Sequence, residues 1–352
     1  MKPLNPLRLG MTFAGCFLGA GYVSGQEIWQ FFGVFGAAGW LGLMIALAIL
    51  FGAGCMLLQV AGILGARPVD QLIFGGAAPR LSRCMAMLQM LFLFSVVAVM
   101  TAGAGALLKQ QLGPEEWIGG LVLTGLIYLG VMKGISGVIS LFSVSVPLLA
   151  AAALGLSVMA YLYLPEVPAD KMRITASPLI GSWLTGGITF ASYNLFSSMG
   201  VLAVLGGLIQ NRAAVYKGVG AGTAVLLLIA GGVLCTVTAH PWLGGEQLPM
   251  LALASALHPA LGRLYGGLLL TAMFGTALSC MNALTEHLRW YFPKMADRKQ
   301  RSAGLLLCGT YLSSGAGFHA LVGAVYPVFG YCSSIFLVIL IIRFVRIRKI
   351  RS

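Results

Sequence analysis

From Met11 to Phe32 the chain reads MTFAGCFLGAGYVSGQEIWQFF, with a carboxylic acid, Glu27, and an amide, Gln26, set after glycines 19, 21 and 25. Glycine costs about 1 kcal/mol per residue in a helix interior. An ionised group deep in lipid costs at least about 2.5–3.5 kcal/mol. A segment that only anchored a chain would avoid both penalties. A helix that unwinds to expose backbone to a ligand requires them, because irregular backbone at membrane depth survives only around a buried site or a wet cavity. Gly19, Ala20 and Gly21 are therefore read as an unwound turn, with Gly25 also lining the site. Glu27, six residues past Gly21, would sit roughly 9 Å outward of the break on a regular helix. It could bind a proton or a cation, or receive a substrate amine, and Gln26 could donate or accept beside it. The structural alternatives are polar side chains bonded to a neighbouring helix and, for Gly21 and Gly25, the small-xxx-small spacing of tight packing.

A second polar stretch interrupts the apolar run from Ser177 to Leu208: Ser192, Tyr193, Asn194, Ser197 and Ser198. In lipid these groups need partners, so a second helix break is expected between 192 and 198, with Gly186-Gly187 as the alternative place. Tyr193 could close over a ligand as an aromatic lid, or could simply pack. The weaker pocket candidates are Ser95 and Thr101. Glu286 and His287, beside Arg289, read as a solvated or gate-region cluster rather than a site. His240, His258 and His319 stand alone near loops. No HExxH, GxSxG or Walker-type glycine-lysine loop is present, nor a paired acidic metal motif. That argues against a membrane protease, an esterase and an ATP-driven pump, and so against an enzyme. The seven cysteines lie in or beside apolar runs without a CxxC pair, which speaks against disulfide and metal roles.

The elements that hold these residues follow from composition. The 352 residues are 59% hydrophobic and only 9% charged, against roughly 25% charged in water-soluble domains. The chain reads as an all-α polytopic membrane protein. The formal net charge of +13 does not indicate nucleic acid, because the basic residues fall between apolar runs. A crossing needs roughly 20 apolar residues, and ten spans are counted on that rule. With the N-terminus inside, four of the 22 Lys and Arg lie outside (Lys109, Lys171, Arg173 and Arg263) and the remaining 18 lie on the cytoplasmic side. Both termini are therefore placed in the cytoplasm of a bacterial inner or plasma membrane.

Five spans precede a polar linker and five follow it, so the halves enter the membrane from opposite sides as an inverted repeat. The first five-helix unit covers 1–163, the external loop 164–176, the second unit 177–342 and a basic cytoplasmic tail 343–352. Each unit opens with its longest, most interrupted span, and Thr12-Phe13-Ala14-Gly15 matches Thr189-Phe190-Ala191-Ser192 at the same place. Two helices broken near the midplane would present N–H groups to a carboxylate and C=O groups to Na⁺ or an ammonium.

FLGAGYVSGQEIWQFFG resembles the opening helix of the YkvI family of bacterial membrane proteins, specifically at GAGYVSGQE and WQFF. The ten-span plan resembles the amino acid–polyamine–organocation superfamily with its LeuT-like fold. Trp29-Gln30-Phe31-Phe32 is similar to the Trp-Arg-Phe-Pro run of sodium:neurotransmitter symporters, but Gln30 replaces the arginine of their outer gate, so that gate does not carry over. The resemblance implies that the eighth span faces the first and donates hydroxyls to sodium. That points to Thr276 and Ser279 in FGTALSCMNALTEH, with Asn282 a further candidate; the alternative is bonding to their own backbone. It also implies that spans one, two, six and seven move as a bundle against a scaffold of three, four, eight and nine. The expected function is cation-coupled symport of a small polar organic solute, an amino acid or related amine, with Na⁺ or H⁺ as coupling ion and no other cofactor. The alternative is a nutrient-sensing receptor on the same fold.

Overall fold

A computed structural model of the chain describes residues 5–64, 79–132, 135–165, 177–209, 211–293 and 299–351. Every regular element among them is helical. The opening segment is made of α1 (Pro6–Gly15), α2 (Ala20–Ser24) and α3 (Gln26–Phe31), then a 3₁₀ turn, Gly33–Phe35. There follow α4 (Ala37–Leu64), α5 (Pro79–Leu112), α6 (Glu116–Val131) and α7 (Ile135–Tyr163). After the linker come α8 (Trp183–Gly207), α9 (Arg212–Ala239), α10 (Pro249–Leu257), α11 (Pro259–Tyr291), α12 (Lys299–Ser314) and α13 (Phe318–Arg351). Seven of these helices are long and apolar enough to cross a membrane: α4, α5, α7, α8, α9, α11 and α13. The ten-span count additionally needs the interrupted opening segment and the shorter α6 and α12. Most of the linker at 164–176, with Lys171 and Arg173, lies outside the described residues. The basic stretch from 343 is helical through Arg351, as a continuation of α13.

Local signals set the helix ends. Asn5 caps α1 by accepting from Leu7 N, and Pro6 follows where a missing N–H costs nothing. Ser182 and Thr185 form a reciprocal capping box at the start of α8. Asn211 Oδ1 accepts from Ala214 N at 2.7 Å to start α9. Gly113, at φ +82°, ends α5 and turns the chain into α6.

Packing is closest where backbones meet without side chains. The opening segment lies against α9 through Gly10 and Gly222: a Cβ on Gly222 would stand 2.6 Å from the Gly10 carbonyl oxygen. The second span lies against the sixth in the same manner, and a Cβ on Gly187 would stand 2.6 Å from the Gly42 oxygen. Without a hydrophobic drive between helices in lipid, small residues that let backbones approach are what holds such pairs together. The opening segment, α8, α11 and α13 meet around one buried centre.

Candidate functional site

The opening span is broken, but not where the glycines suggest. Helix α1 stops at Gly15, and the chain unwinds across residues 16–19. Gly19 N bonds back to the Phe17 carbonyl at 2.8 Å, a three-residue turn, and Gly19 itself is extended. Ala20 and Gly21, read as unwound, instead begin α2. A second interruption falls at Gly25, whose φ of +89° is open to glycine at little steric cost. The segment is thus snapped twice, and the piece between is only five residues long.

The left-handed turn at Gly25 changes where Glu27 goes. On a regular helix its carboxylate would stand well outward of Gly21. Here it folds back onto Gly21, so closely that a Cβ at 21 would collide with it. Glu27 is 3% exposed, and the Tyr193 hydroxyl donates to its Oε2 at 2.5 Å. Tyr22 and Tyr326 lie within electrostatic range of the same carboxylate. The Tyr193 ring stacks on Tyr326, centroids 4.8 Å apart and planes 15° from parallel, and meets Phe31 and Phe190 at 5.5 Å each. Phe92 closes the cluster from α5.

The expected second break is absent. Helix α8 runs without interruption from Trp183 to Gly207, through both places where a break was expected, Gly186-Gly187 and 192–198. The polar side chains explain how it stays wound. Ser192 Oγ donates to the Ile188 carbonyl, Asn194 Nδ2 to Phe190, Ser197 Oγ to Asn194 and Ser198 Oγ to Leu195. Each polar group is satisfied on its own helix, as serine, threonine and asparagine commonly are in membranes. Gly186 and Gly187 serve close approach to Phe31 and Gly42 instead. Of the five polar residues singled out on this helix, Tyr193 is the one that reaches Glu27.

Across the unwound stretch, Thr276 of α11 points its Oγ1 at the Leu18 carbonyl, 3.5 Å away. Ser279 is buried one helical turn further on, while Asn282 donates to Leu278 of its own helix. The helix read as the eighth span therefore faces the break through Thr276. Thr101 and Ser95 bond to carbonyls of their own helix, and Ser95 does so away from the centre. His287 is buried and stacks on Tyr291, so it is no solvated cluster with the exposed Glu286.

One contact was not readable from the sequence. Gln26 is fully buried, and its Nε2 meets His319 Nδ1 at 2.7 Å. His319, an exposed residue in the first turn of α13, thus lies over an amide adjacent to Glu27. Gln30, one turn along α3, packs toward Gly323, one turn along α13. A polar seam joins the outer piece of the opening segment to the last helix, in the absence of an arginine at 30. His319→Leu alone is expected to lower the melting temperature by a few degrees, because a buried amide left without its partner costs about 1–3 kcal/mol. Adding Gln26→Leu should restore much of the loss, since replacing both partners by apolar groups is nearly neutral. A thermal melt of the two variants checks this.

An interrupted opening helix facing hydroxyls of the eighth, inside an all-helical membrane core, defines the LeuT-like class of transporter folds. Solved structures of that class share this chain's fold. The crystal structure of MhsT in complex with L-phenylalanine superposes with a TM-score of 0.67 over 96% of this chain and 89% of that one, at 15% identity. A Na⁺-coupled sialic acid symporter gives 0.64 over 89% and 72%, at 15% identity. Mhp1, a nucleobase-cation-symport-1 family transporter, gives 0.55 over 88% and 71%, at 14% identity. In sequence the chain is 24% identical to the uncharacterised membrane protein YkvI of Bacillus subtilis over 337 residues, 94% of this chain and 93% of that protein. It is likewise 24% identical to YyaD of the same organism, over 94% and 95%. No family model matches the chain.

Proposed function

We propose that the chain is a secondary carrier of a small polar organic solute, an amino acid or related amine, coupled to Na⁺ or H⁺ and working by alternating access. The observation that carries this reading is the buried Glu27 carboxylate, held by Tyr193 beside a twice-interrupted helix. A carboxylate and bare carbonyls at membrane depth are expensive in a helix that only anchors, and they are the groups that bind cations and ammonium. Gly19, Ala20, Gly21, Gly25, Gln26 and Glu27 would line the solute site with Tyr193 opposite. Thr276, Ser279 and the Leu18 carbonyl are the ion-site candidates. The five-plus-five inverted repeat is supported by the packing, since the first span meets the seventh through glycine as the second meets the sixth. The reading of ten crossings rests on the apolar runs, and that of cytoplasmic termini on the distribution of basic residues.

The uninterrupted sixth span favours a second reading, a nutrient sensor that binds without moving its ligand across. Counterflow in proteoliposomes separates the two. A carrier preloaded with unlabelled solute accumulates the labelled form transiently, whereas a sensor binds label and exchanges none.

A further inference from the structure

The polar inventory of the core is one-sided. Among the described residues Glu27 is the single buried carboxylate, and no lysine or arginine is buried with it. The Tyr193 hydroxyl donates to one carboxylate oxygen, leaving further acceptor sites on both. Gln26 Oε1 and Gln30 Oε1, one turn apart on α3, are buried acceptors without partners among the described residues. The rings of Phe31, Phe190 and Tyr326 pack on that of Tyr193, which carries the hydroxyl on Glu27. Acceptors and aromatic faces together recognise an ammonium, whose N–H groups need the first and whose charge is attracted by the second. Among the described residues no buried lysine or arginine stands opposite to pair with a solute carboxylate, and α8, being unbroken, keeps its N–H groups in its own ladder.

Charge adds a second constraint. A lone carboxylate in a low-dielectric core must be met by one positive charge, and the described residues supply none. The titratable groups around it are Tyr22 on α2, Tyr193 on α8 and Tyr326 on α13, with exposed His319 beyond Gln26. None is a resident cation within the core. We propose that the Glu27 site takes a primary organic ammonium with an aromatic or apolar body and no carboxylate, and exchanges it for a proton. The step is R–NH₃⁺ + Glu27–COOH → R–NH₃⁺···⁻OOC–Glu27 + H⁺. It is reversed on the opposite side of the membrane, where the proton returns to the carboxylate as the ammonium leaves. This inference rests on the carrier reading and narrows its solute and its coupling.

The test uses 2-phenylethylamine and L-phenylalanine, which differ by the carboxylate alone, on the purified full chain. Calorimetric titration in two buffers of different ionisation enthalpy reads affinity and proton count together. The amine is expected to bind about tenfold or more tighter than the amino acid, to release a proton for each molecule bound, and to bind more weakly as pH falls. Glu27→Gln should abolish amine binding. If that variant does not fold, the wild-type pair and its pH dependence still decide. Equal or tighter binding of L-phenylalanine overturns the proposal, as does amine binding without proton release. If neither probe binds while another solute undergoes counterflow, the ammonium inference falls and the carrier stands. If the amine binds with proton release yet nothing crosses proteoliposomes, the site stands and the carrier falls.

Discussion

Glu27→Gln is expected to reduce concentrative uptake in proteoliposomes by about a hundredfold while leaving the protein folded. Glutamine matches glutamate in shape, and its amide oxygen can still accept from Tyr193, so packing around Gly21 is preserved. What disappears is the charge. Interactions with a charged group in this setting amount to about 1.5–3 kcal/mol each, and 2.8 kcal/mol is roughly a hundredfold. Tyr193→Phe should have a smaller effect, roughly tenfold, because it removes the hydrogen bond that holds the carboxylate but keeps the ring stacked on Tyr326. Gly21→Ala gives an independent check. Its methyl occupies the space of the Glu27 carboxylate, so it displaces the group without deleting it. Loss of uptake in Gly21→Ala and Glu27→Gln together, with normal yield and melting behaviour, locates the function at the carboxylate. If uptake and its pH dependence survive Glu27→Gln, Glu27 is not the coupling site.

These residues also mark how far sequence carries. Glu27 stood out because an acidic residue in an apolar run has few bland explanations. Its neighbours in space did not stand out, because Tyr326, Phe92 and His319 come from other helices and leave no local signature. The first break was legible from its glycines but misplaced by a few residues. Glycine marks tolerance for irregular backbone, and here Gly25 takes the left-handed turn while Gly21 only makes room for a side chain. The sixth span was misread for a related reason. A row of serines and an asparagine signals polar groups needing partners, and nothing in the row distinguishes a broken helix from one whose side chains bond to their own carbonyls.

Gly187→Leu is expected to destabilise the protein by more than substitution at any exposed lipid-facing position, such as Leu305→Ala. A Cβ at 187 would press on the Gly42 carbonyl, and backbone cannot move aside as a flexible side chain can. Overpacking costs about 1–3 kcal/mol where neighbours relax, and here the second and sixth helices would have to separate along their length. The same holds for Gly222→Leu against Gly10. The observable is the melting temperature and the yield of monodisperse protein in detergent. Gly19 provides the contrast, since a Cβ there would meet the Met100 methyl at 3.4 Å and the Thr276 methyl at 3.7 Å rather than backbone, and Gly19→Ala should fold with a milder loss. The difference bears on motion. In the bundle-and-scaffold division that the resemblance implies, the first, second, sixth and seventh spans would travel together, so contacts among them could be rigid backbone, whereas contacts with the eighth would open and re-form. Side-chain contacts such as Thr276 on Leu18 suit an interface that slides, and glycine-sealed ones suit a unit that does not. If Gly187→Leu folded normally and only slowed transport, the second and sixth spans would have to part during the cycle, and the moving bundle would need redrawing.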